Sequence, residues 1–319
     1  MKAAYITECG SIKNIQYGDV DNPICRDDEI IVKTICVSVN NVDTFIRSGK
    51  YKTPIPFPFI IGRDMVGVVH EIGKVTKGFK IGDIVWTNSM GYDGRQGVTS
   101  EFVSVKQDRL YHLPEGVDPI SAVASLHSSA TAAILLAEIG KARIGEKILI
   151  QGAAGHVGRK LVSLAKQMGL SITTTSNPDD FEILHKLGAD NTIDYKETFP
   201  SENQREVFDL IVDTSGKANL QNNITALNIG GRILMITPAP IDTIDTWPLY
   251  TKMGQILGFV IRHASIEQLK IAAEIINDQF KKGLLLDDDV YTLDFKHASQ
   301  AHELQEKQAK KKPKYVLVF

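Results

Sequence analysis

Short apolar segments alternate with longer amphipathic ones from about residue 122 onward, and this alternation constrains the fold more than any other feature of the chain. Such alternation is typical of βαβ units, which form parallel sheets with helices on both faces. The six predicted strands are 147–150, 171–175, 191–195, 208–212, 232–236 and 255–260. Six parallel strands complete a dinucleotide-binding sheet, so the pattern predicts a doubly wound α/β domain.

The first 113 residues show a different pattern, in which short β-rich segments are separated by glycines and charged turns. The predicted strands are 30–34, 65–69, 84–86 and 101–105, which favour a small barrel or sandwich. A capped helix is predicted over 265–282, and the chain ends in an isolated strand at 314–318. Since a lone strand needs a sheet to pair with, we expect it to join the N-terminal β-domain.

Length, charge and cysteine content narrow the class of protein. The 319 residues suffice for about two domains. A net charge of −2 argues against nucleic acid or an anionic membrane as a partner. The cysteines, Cys9, Cys25 and Cys36, show no C-x-x-C spacing, and the N-terminus carries an acidic residue where a secretory signal would be apolar. We therefore expect a cytoplasmic protein.

The first predicted strand of the α/β domain is followed by a turn of small residues. The segment is Gln151-Gly152-Ala153-Ala154-Gly155-His156-Val157-Gly158. Gly155 would let the backbone approach a pyrophosphate, and Gly158 would let helix and strand pack closely. Because Ala153 replaces the first glycine of G-x-G-x-x-G, a turn without a ligand is the alternative for this motif taken alone.

The end of the second strand of this domain bears on the choice between NAD and NADP. NAD sites place an Asp or Glu there to hold the ribose hydroxyls. Here the place is taken by Thr174-Thr175-Ser176-Asn177, so no carboxylate blocks a 2′-phosphate, and NADP(H) is favoured. No Lys or Arg stands there either, and Asp179 and Asp180 follow, so NAD(H) remains an alternative.

Five stretches carry the motifs of a known family, in order along nearly the whole chain. They are 39–51, 61–69, 78–85, 152–158 and 187–195. They resemble the quinone oxidoreductase, or zeta-crystallin-like, branch of the zinc-independent medium-chain dehydrogenase/reductases. The resemblance implies a Rossmann domain over 121–261, inserted in a GroES-like β-barrel catalytic domain formed by 1–120 plus 262–319. It also implies a dimer or a tetramer, of which we expect the homodimer, with the strand edge near 254–261 as a candidate interface.

The same resemblance bears on metal binding. Zinc alcohol dehydrogenases of this superfamily carry metal ligands at positions that match Asn40, Arg63 with Asp64, and His127. Arginine cannot ligate Zn²⁺ and a neutral amide is a poor ligand, so Asp64 and His127 fall short of the three protein ligands of a catalytic zinc site. We therefore predict no metal, with a zinc-type alcohol dehydrogenase as the alternative.

The resemblance further implies roles for individual residues. The implied cofactor contacts are Thr131 near the nicotinamide, Gly155, His156, Val157 and Gly158 at the pyrophosphate, Ser176 at the adenine ribose and Tyr195 beside the adenosine phosphate. Asn40 and Tyr51 are implied as residues of the acceptor pocket, and His127 is a candidate hydrogen-bond donor to a carbonyl. Asp180 stands where many NADPH-dependent relatives have a basic residue, which leaves dual cofactor specificity open.

The predicted chemistry belongs to the cofactor, since the sequence offers no obvious nucleophile or acid–base dyad. We expect NAD(P)H-dependent hydride transfer to a small quinone or α,β-unsaturated carbonyl, whose developing oxyanion needs only a hydrogen-bond donor. A cofactor-binding protein with a non-catalytic role is the second alternative.

Overall fold

The structure is a computed structural model that describes residues 1–241, 243–287, 289–307 and 313–319. It divides into two compact units. Unit 1 comprises Met1–His127 together with Ile276–Phe319, and unit 2 comprises Ser128–Ile275. One unit is therefore built from both ends of the chain and the other from the segment between them.

The regular elements follow one another along the whole chain. The strands are β1 (Lys2–Ile6), β2 (Gln16–Asp19), β3 (Glu29–Val39), β4 (Phe59–Ile60), β5 (Asp64–Ile72), β6 (Ile84–Thr87), β7 (Phe102–Lys106), β8 (Tyr111–His112), β9 (Lys147–Gln151), β10 (Ser171–Ser176), β11 (Asn191–Asp194), β12 (Phe208–Asp213), β13 (Leu227–Met235), β14 (Gln255–Gly258), β15 (Val290–Asp294) and β16 (Lys314–Val318). The helices are α1 (Asn41–Arg47), α2 (Pro119–Ile134), α3 (His156–Gln167), α4 (Phe181–Leu187), α5 (Leu220–Ala226), α6 (Trp247–Thr251), α7 (Ile266–Lys281) and α8 (Ala298–Glu306). Each predicted strand has a counterpart in this set.

The unit boundaries lie further along the chain than the predicted domain boundaries after residues 120 and 261. The reason is that α2 and α7 run through them, so neither junction lies in a linker. Neither helix contains a glycine or an internal proline that would mark such a junction in the sequence.

Unit 1 is built around a sheet in which the two ends of the chain meet. The strand order is β15-β16-β3-β5-β6-β8, and β7 also pairs with β3. The last strand, β16, runs antiparallel to β3, with Val316 opposite Ser38 and Leu317 opposite Val37. The prediction that the C-terminal strand joins the N-terminal β-domain is therefore confirmed. A separate small sheet has the order β2-β1-β4.

Unit 2 contains a six-stranded sheet with the order β11-β10-β9-β12-β13-β14, and every neighbouring pair is parallel. Counted from β9, the order is 3-2-1-4-5-6, that of the doubly wound dinucleotide-binding sheet. The order reverses between β9 and β12, and ligands of such sheets bind at the carboxyl ends of the strands at that point. The central residues of both strands are fully buried, as expected for a sheet covered on both faces.

The last two strands of unit 2 differ from their predicted bounds. β13 begins at Leu227 rather than 232, because its pairing with β12 starts there and shifts register before Leu210. β14 ends at Gly258, where its pairing with Met235 ends. Among the described strands β14 pairs with β13 alone, so it forms one edge of the sheet. Homodimer formation through this edge stays a prediction.

Helix α2 continues into a π-helical turn, and together they span Pro119–Ile139. This helix is long and apolar enough to cross a membrane, but most of its apolar stretch is buried inside the protein. Burial of this kind is what the core helix of a folded domain shows.

The start of α7 carries the predicted capping box. The Gln268 N–H donates to Ser265 Oγ at 3.1 Å, and the Ser265 N–H donates to Gln268 Oε1 at 3.0 Å. Two N–H groups that the helix itself cannot pair are thereby satisfied.

Replacing this cap should destabilise the protein measurably. Ser265→Ala removes the acceptor for the Gln268 N–H and should lower the free energy of unfolding by about 1 kcal/mol. Urea unfolding followed by circular dichroism measures this, with the exposed Ser171→Ala as the matched control. Equal stability of the two variants would contradict the capping assignment.

Candidate functional site

The turn between β9 and α3 is built from small residues because larger ones do not fit. Gly152 has φ 72°, in the left-handed region that favours glycine. A Cβ on Gly152 would lie 2.8 Å from Thr214 Oγ1, and a Cβ on Gly158 would lie 2.6 Å from the Cα atom of Ala153. The close approach of α3 to β9 therefore requires Gly158, in agreement with the sequence analysis.

Hydrogen bonds hold this turn in one shape. Thr214 Oγ1 donates to the carbonyl oxygens of Gln151 and Gly152 at 2.8 and 3.1 Å. The Gly155 N–H donates to the Gly152 carbonyl at 3.1 Å. Gly155 is exposed and is the N-cap residue of α3, and a Cβ there would meet only the Gly152 carbonyl oxygen, at 3.4 Å. The start of α3 thus presents N–H groups and the positive end of the helix dipole beside an open backbone.

A groove of about 510 Å³ lies at the carboxyl ends of the strands next to this turn. Its lining residues are Gln151, Gly152, Thr175, Ser176, Ile193, Asp194, Tyr195, Glu197, Phe199, Ser215, Lys217, Ala218, Asn219 and Asn222. The structure therefore brings the predicted residues Ser176 and Tyr195 together in one groove. Residues 155–158 form the N-cap and first turn of α3 rather than this lining, and Thr131 is a buried residue of α2.

The groove also contains residues that sequence reasoning missed. Lys217 is its basic lining residue, whereas Asp194 and Glu197 are acidic. Lys217 and Asn219 follow β12, which neighbours β9 in the sheet. Lys217 and Asn219 could have been recognised because they follow a strand at the point where the strand order reverses. This argument requires the strand order, which the sequence does not give.

A second set of polar residues is buried in unit 1, where β3 ends. Asn40 Nδ2 donates to Asp64 Oδ2 at 2.9 Å and to Ser38 Oγ at 3.0 Å. Lys314 Nζ, at the start of β16, donates to Asn40 Oδ1 at 2.8 Å. The Asn40 N–H donates to Asp43 Oδ2 at 2.7 Å. We call Ser38, Asn40, Asp43, Asp64 and Lys314 the buried polar cluster.

Burial raises the pKa of the two carboxyls in this cluster. It raises the pKa of Asp43 to about 6, although hydrogen bonding from Asn40 and the positive charges of Arg63 and Lys314 oppose the shift. Burial and the neighbouring Asp43 also raise the pKa of Asp64. Carboxyls that retain protons near neutral pH are more frequent at functional sites than elsewhere.

The imidazole of His127 lies beside the cluster. Its Nδ1 is 3.9 Å from Asp64 Oδ2. Burial, with the positive charges of Arg63 and Lys314, holds the pKa of His127 well below its usual range, so the ring is neutral at pH 7. A neutral imidazole still offers one N–H donor, as a carbonyl-binding role requires.

The third predicted acceptor residue, Tyr51, packs beside an aromatic ring of unit 1. Its ring is half-buried, packs against the core of unit 1 and lies 5.1 Å from the ring of Phe45, centroid to centroid. The structure therefore groups Asn40 with Asp64 and His127, whereas Tyr51 packs on an aromatic neighbour.

The residues at the positions of zinc ligands do not form a metal-binding set. Within the described part of the chain, no three His, Cys, Asp or Glu side chains are grouped so that they could hold a metal ion. Asn40 and Arg63 supply an amide and a cation at two of those positions. Such a donor set does not fit zinc, and zinc independence stays a prediction.

Comparison with known proteins identifies the family. Residues 26–115 match the family model of the alcohol dehydrogenase GroES-like domain, and residues 157–277 match that of the zinc-binding dehydrogenases. The quinone oxidoreductase of Sus scrofa is 28% identical over 296 residues, which are 89% of this chain and 87% of that protein. The chain belongs to the medium-chain dehydrogenase/reductase superfamily.

A further curated relative and two solved structures are also similar to this chain, the structures in fold. The 2-methylene-furan-3-one reductase of Solanum lycopersicum is 32% identical over 248 residues, which are 75% of this chain and 63% of that protein. A mycobacterial quinone oxidoreductase structure, 23% identical, superposes with a TM-score of 0.86 over all of both chains. The Escherichia coli quinone oxidoreductase, solved in complex with NADPH, gives 0.80 at 22% identity, again over all of both chains.

The comparisons bear out two of the predictions. The resemblance to the quinone oxidoreductase branch is confirmed, and so is the fold class, a Rossmann sheet with a GroES-like domain. The relatives indicate an oxidoreductase, whereas the roles of individual site residues stay predictions.

The pKa of Asp64 predicts how stability depends on pH. Its folded-state value, about 8, lies above the ordinary value of 3.8, so the carboxyl's contribution to stability is complete below about pH 4 and is lost as the pH rises through about 8. We therefore compare the free energies of unfolding of the unmodified protein and of Asp64→Asn. The stability of the unmodified protein relative to the variant should fall as the pH rises from about 4 to about 8. Urea titrations at several pH values measure it, with the exposed Asp27→Asn as control. A difference that grows with pH would contradict this.

Proposed function

We propose that this protein transfers hydride from NAD(P)H to a quinone or an α,β-unsaturated carbonyl without a metal ion. The observation that carries the proposal is the glycine turn and its adjoining groove, at the carboxyl ends of a parallel sheet with the order 3-2-1-4-5-6. Several curated relatives are named quinone oxidoreductases and another is a 2-methylene-furan-3-one reductase, which supports this choice of acceptor.

The residues of unit 2 fit a dinucleotide. The backbone of Gly155 and the N–H groups of His156, Val157 and Gly158 would hold the pyrophosphate at the start of α3. Ser176 and Tyr195 would hold the adenosine half in the groove, and Thr131 would serve the nicotinamide. When bound, the reduced cofactor supplies a hydride, and solvent supplies the proton that completes the reduction.

The acceptor would be polarised by residues of unit 1. Because its ring is neutral, His127 would act as a hydrogen-bond donor to the acceptor oxygen rather than as a cationic acid. Tyr51 would supply a second polar contact. Asn40 would act from within the buried polar cluster, which fixes the orientation of its amide through three hydrogen bonds.

The groove favours NADP(H) and does not exclude NAD(H). β10 ends in Ser176, so the strand carries no carboxylate that would repel a 2′-phosphate, and Lys217 adds a positive charge. Asp194 and Glu197 in the same groove reduce this preference. We further propose a cytoplasmic homodimer that acts on small molecules.

The activity is tested by assaying NADPH and NADH separately with each acceptor. Purified protein should oxidise NADPH, and NADH less efficiently, with 9,10-phenanthrenequinone or an enone, in the presence of a metal chelator. No turnover with a broad panel of quinones and enones, despite measurable cofactor binding, would overturn the proposal. Stoichiometric zinc lost together with activity would overturn the metal-independent part.

The cofactor assignment predicts the effect of a larger residue in the glycine turn. Gly155→Val should fold, because an added Cβ has no contact shorter than 3.4 Å. It should weaken NADPH binding by roughly tenfold or more, since it covers the open backbone before α3. Fluorescence titration measures this, with Gly258→Val as control because a Cβ there meets no atom within 4 Å. Unchanged affinity would exclude this turn from the binding site.

A further inference from the structure

Arg63 is a buried cation that the proposed function does not use. It directly precedes β5 and is only 2% exposed. Its Nε and Nη1 atoms are enclosed and donate no hydrogen bond to any residue that the structure describes. Buried guanidinium groups are normally paired, since burying a charge without a hydrogen-bonded partner destabilises the folded state. This arrangement points to a partner from outside the chain.

The segment next to Arg63 carries more buried polar atoms of the same kind. The Met90 N–H donates to the Arg63 carbonyl at 3.3 Å, so the residues after β6 run alongside Arg63. In that segment Asn88 Oδ1 and Ser89 Oγ are enclosed and make no hydrogen bond within the described part of the chain. Polar atoms in a protein interior are paired as a rule, so this concentration at one end of the β5–β6 pair is a second observation that indicates a ligand.

The charge balance around Arg63 favours an anion. Arg63, Arg95 and Arg109 are close enough to affect one another electrostatically. Lys314 adds a fourth positive charge, and the nearby acids are Asp93, which pairs with Arg95 at 3.6 Å, and Asp43 and Asp64. Burial raises the pKa of Asp43 and Asp64, so these two neutralise less positive charge near pH 7 than two ionised groups would. The region therefore carries an excess of positive charge that an anionic ligand would compensate.

We propose that Arg63 binds a carboxylate of the electron acceptor, so that the preferred substrates are quinones or activated alkenes that carry an acidic group. The proposal rests on the proposed function and deepens it. A planar guanidinium binds a carboxylate with two parallel hydrogen bonds, one from Nη2 and the other from Nε or Nη1. A carboxylate keeps its charge before and after hydride transfer, whereas an oxyanion at the reacting carbonyl is transient. A permanent anion therefore matches a permanent buried cation better.

The experiment compares two acceptors that differ only in charge, 3-benzoylacrylate and its ethyl ester. The unmodified protein should reduce the carboxylate with the higher kcat/KM. Arg63→Gln should lower kcat/KM for the carboxylate by about tenfold or more, mainly through KM, and change that for the ester by less than about twofold. Arg63→Lys keeps the positive charge but loses the paired donors of the guanidinium. Its kcat/KM for the carboxylate should therefore lie between the values of the unmodified protein and of Arg63→Gln. Arg26→Gln, whose side chain is 76% exposed, is the matched control.

A second readout needs no turnover. The saturated analogue 3-benzoylpropionate should raise the melting temperature of the unmodified protein, its ethyl ester should not, and Arg63→Gln should abolish the difference. If neither acceptor is reduced but this shift occurs, the proposed function fails and the carboxylate site stands.

Three results would overturn the carboxylate site. The first is that the unmodified protein shows no preference for the acid, either in kcat/KM or in melting temperature. The second is an equal loss of kcat for acid and ester in Arg63→Gln, which would assign Arg63 to the transient oxyanion instead. The third is a folded Arg63→Lys variant that retains the full preference for the acid, since the paired donors would then be unnecessary.

Discussion

The antiparallel pairing of β16 with β3 is the contact on which unit 1 depends. Tyr315 lies opposite Val39, so Lys314 is brought to Asn40, the residue that follows β3. The pairing closes a very long loop that contains the whole of unit 2. Loop closure is only about 0.6 kcal/mol less favourable for each doubling of loop length. A complete parallel-sheet unit can therefore be inserted without preventing the two chain ends from forming one sheet.

Local signals in the sequence were enough to predict the strands of unit 2. Its two central strands, β9 and β12, are buried along most of their length and read as continuous apolar runs, and its glycine turn is a local steric requirement at Gly152 and Gly158. Lys217 was not predicted, because its place in the groove depends on β12 lying beside β9. Strand order is a property of the whole sheet and has no local signature.

The contacts of the polar residues in unit 1 were still harder to predict from local sequence signals. The sequence shows that Arg63 cannot ligate zinc, a matter of side-chain chemistry alone. It does not show that Asn40 contacts both Asp64 and Lys314, because these partners lie 24 and 274 positions away along the chain. The burial of Arg63 Nε and Nη1 without a hydrogen bond to the described residues is likewise a consequence of packing, which no residue pattern reports.

Free energy gives a reason to regard these buried charges as functional. A folded domain is stable by only about 5–15 kcal/mol, and each poorly paired buried ion reduces that margin by several kcal/mol. Apolar residues of similar volume would stabilise the same interior. Asp64, whose pKa burial raises, and Arg63, which donates no hydrogen bond from Nε or Nη1 within the described chain, both reduce it. The presence of Arg63 is understandable if an anionic ligand compensates its charge, because binding to the folded state then adds stability.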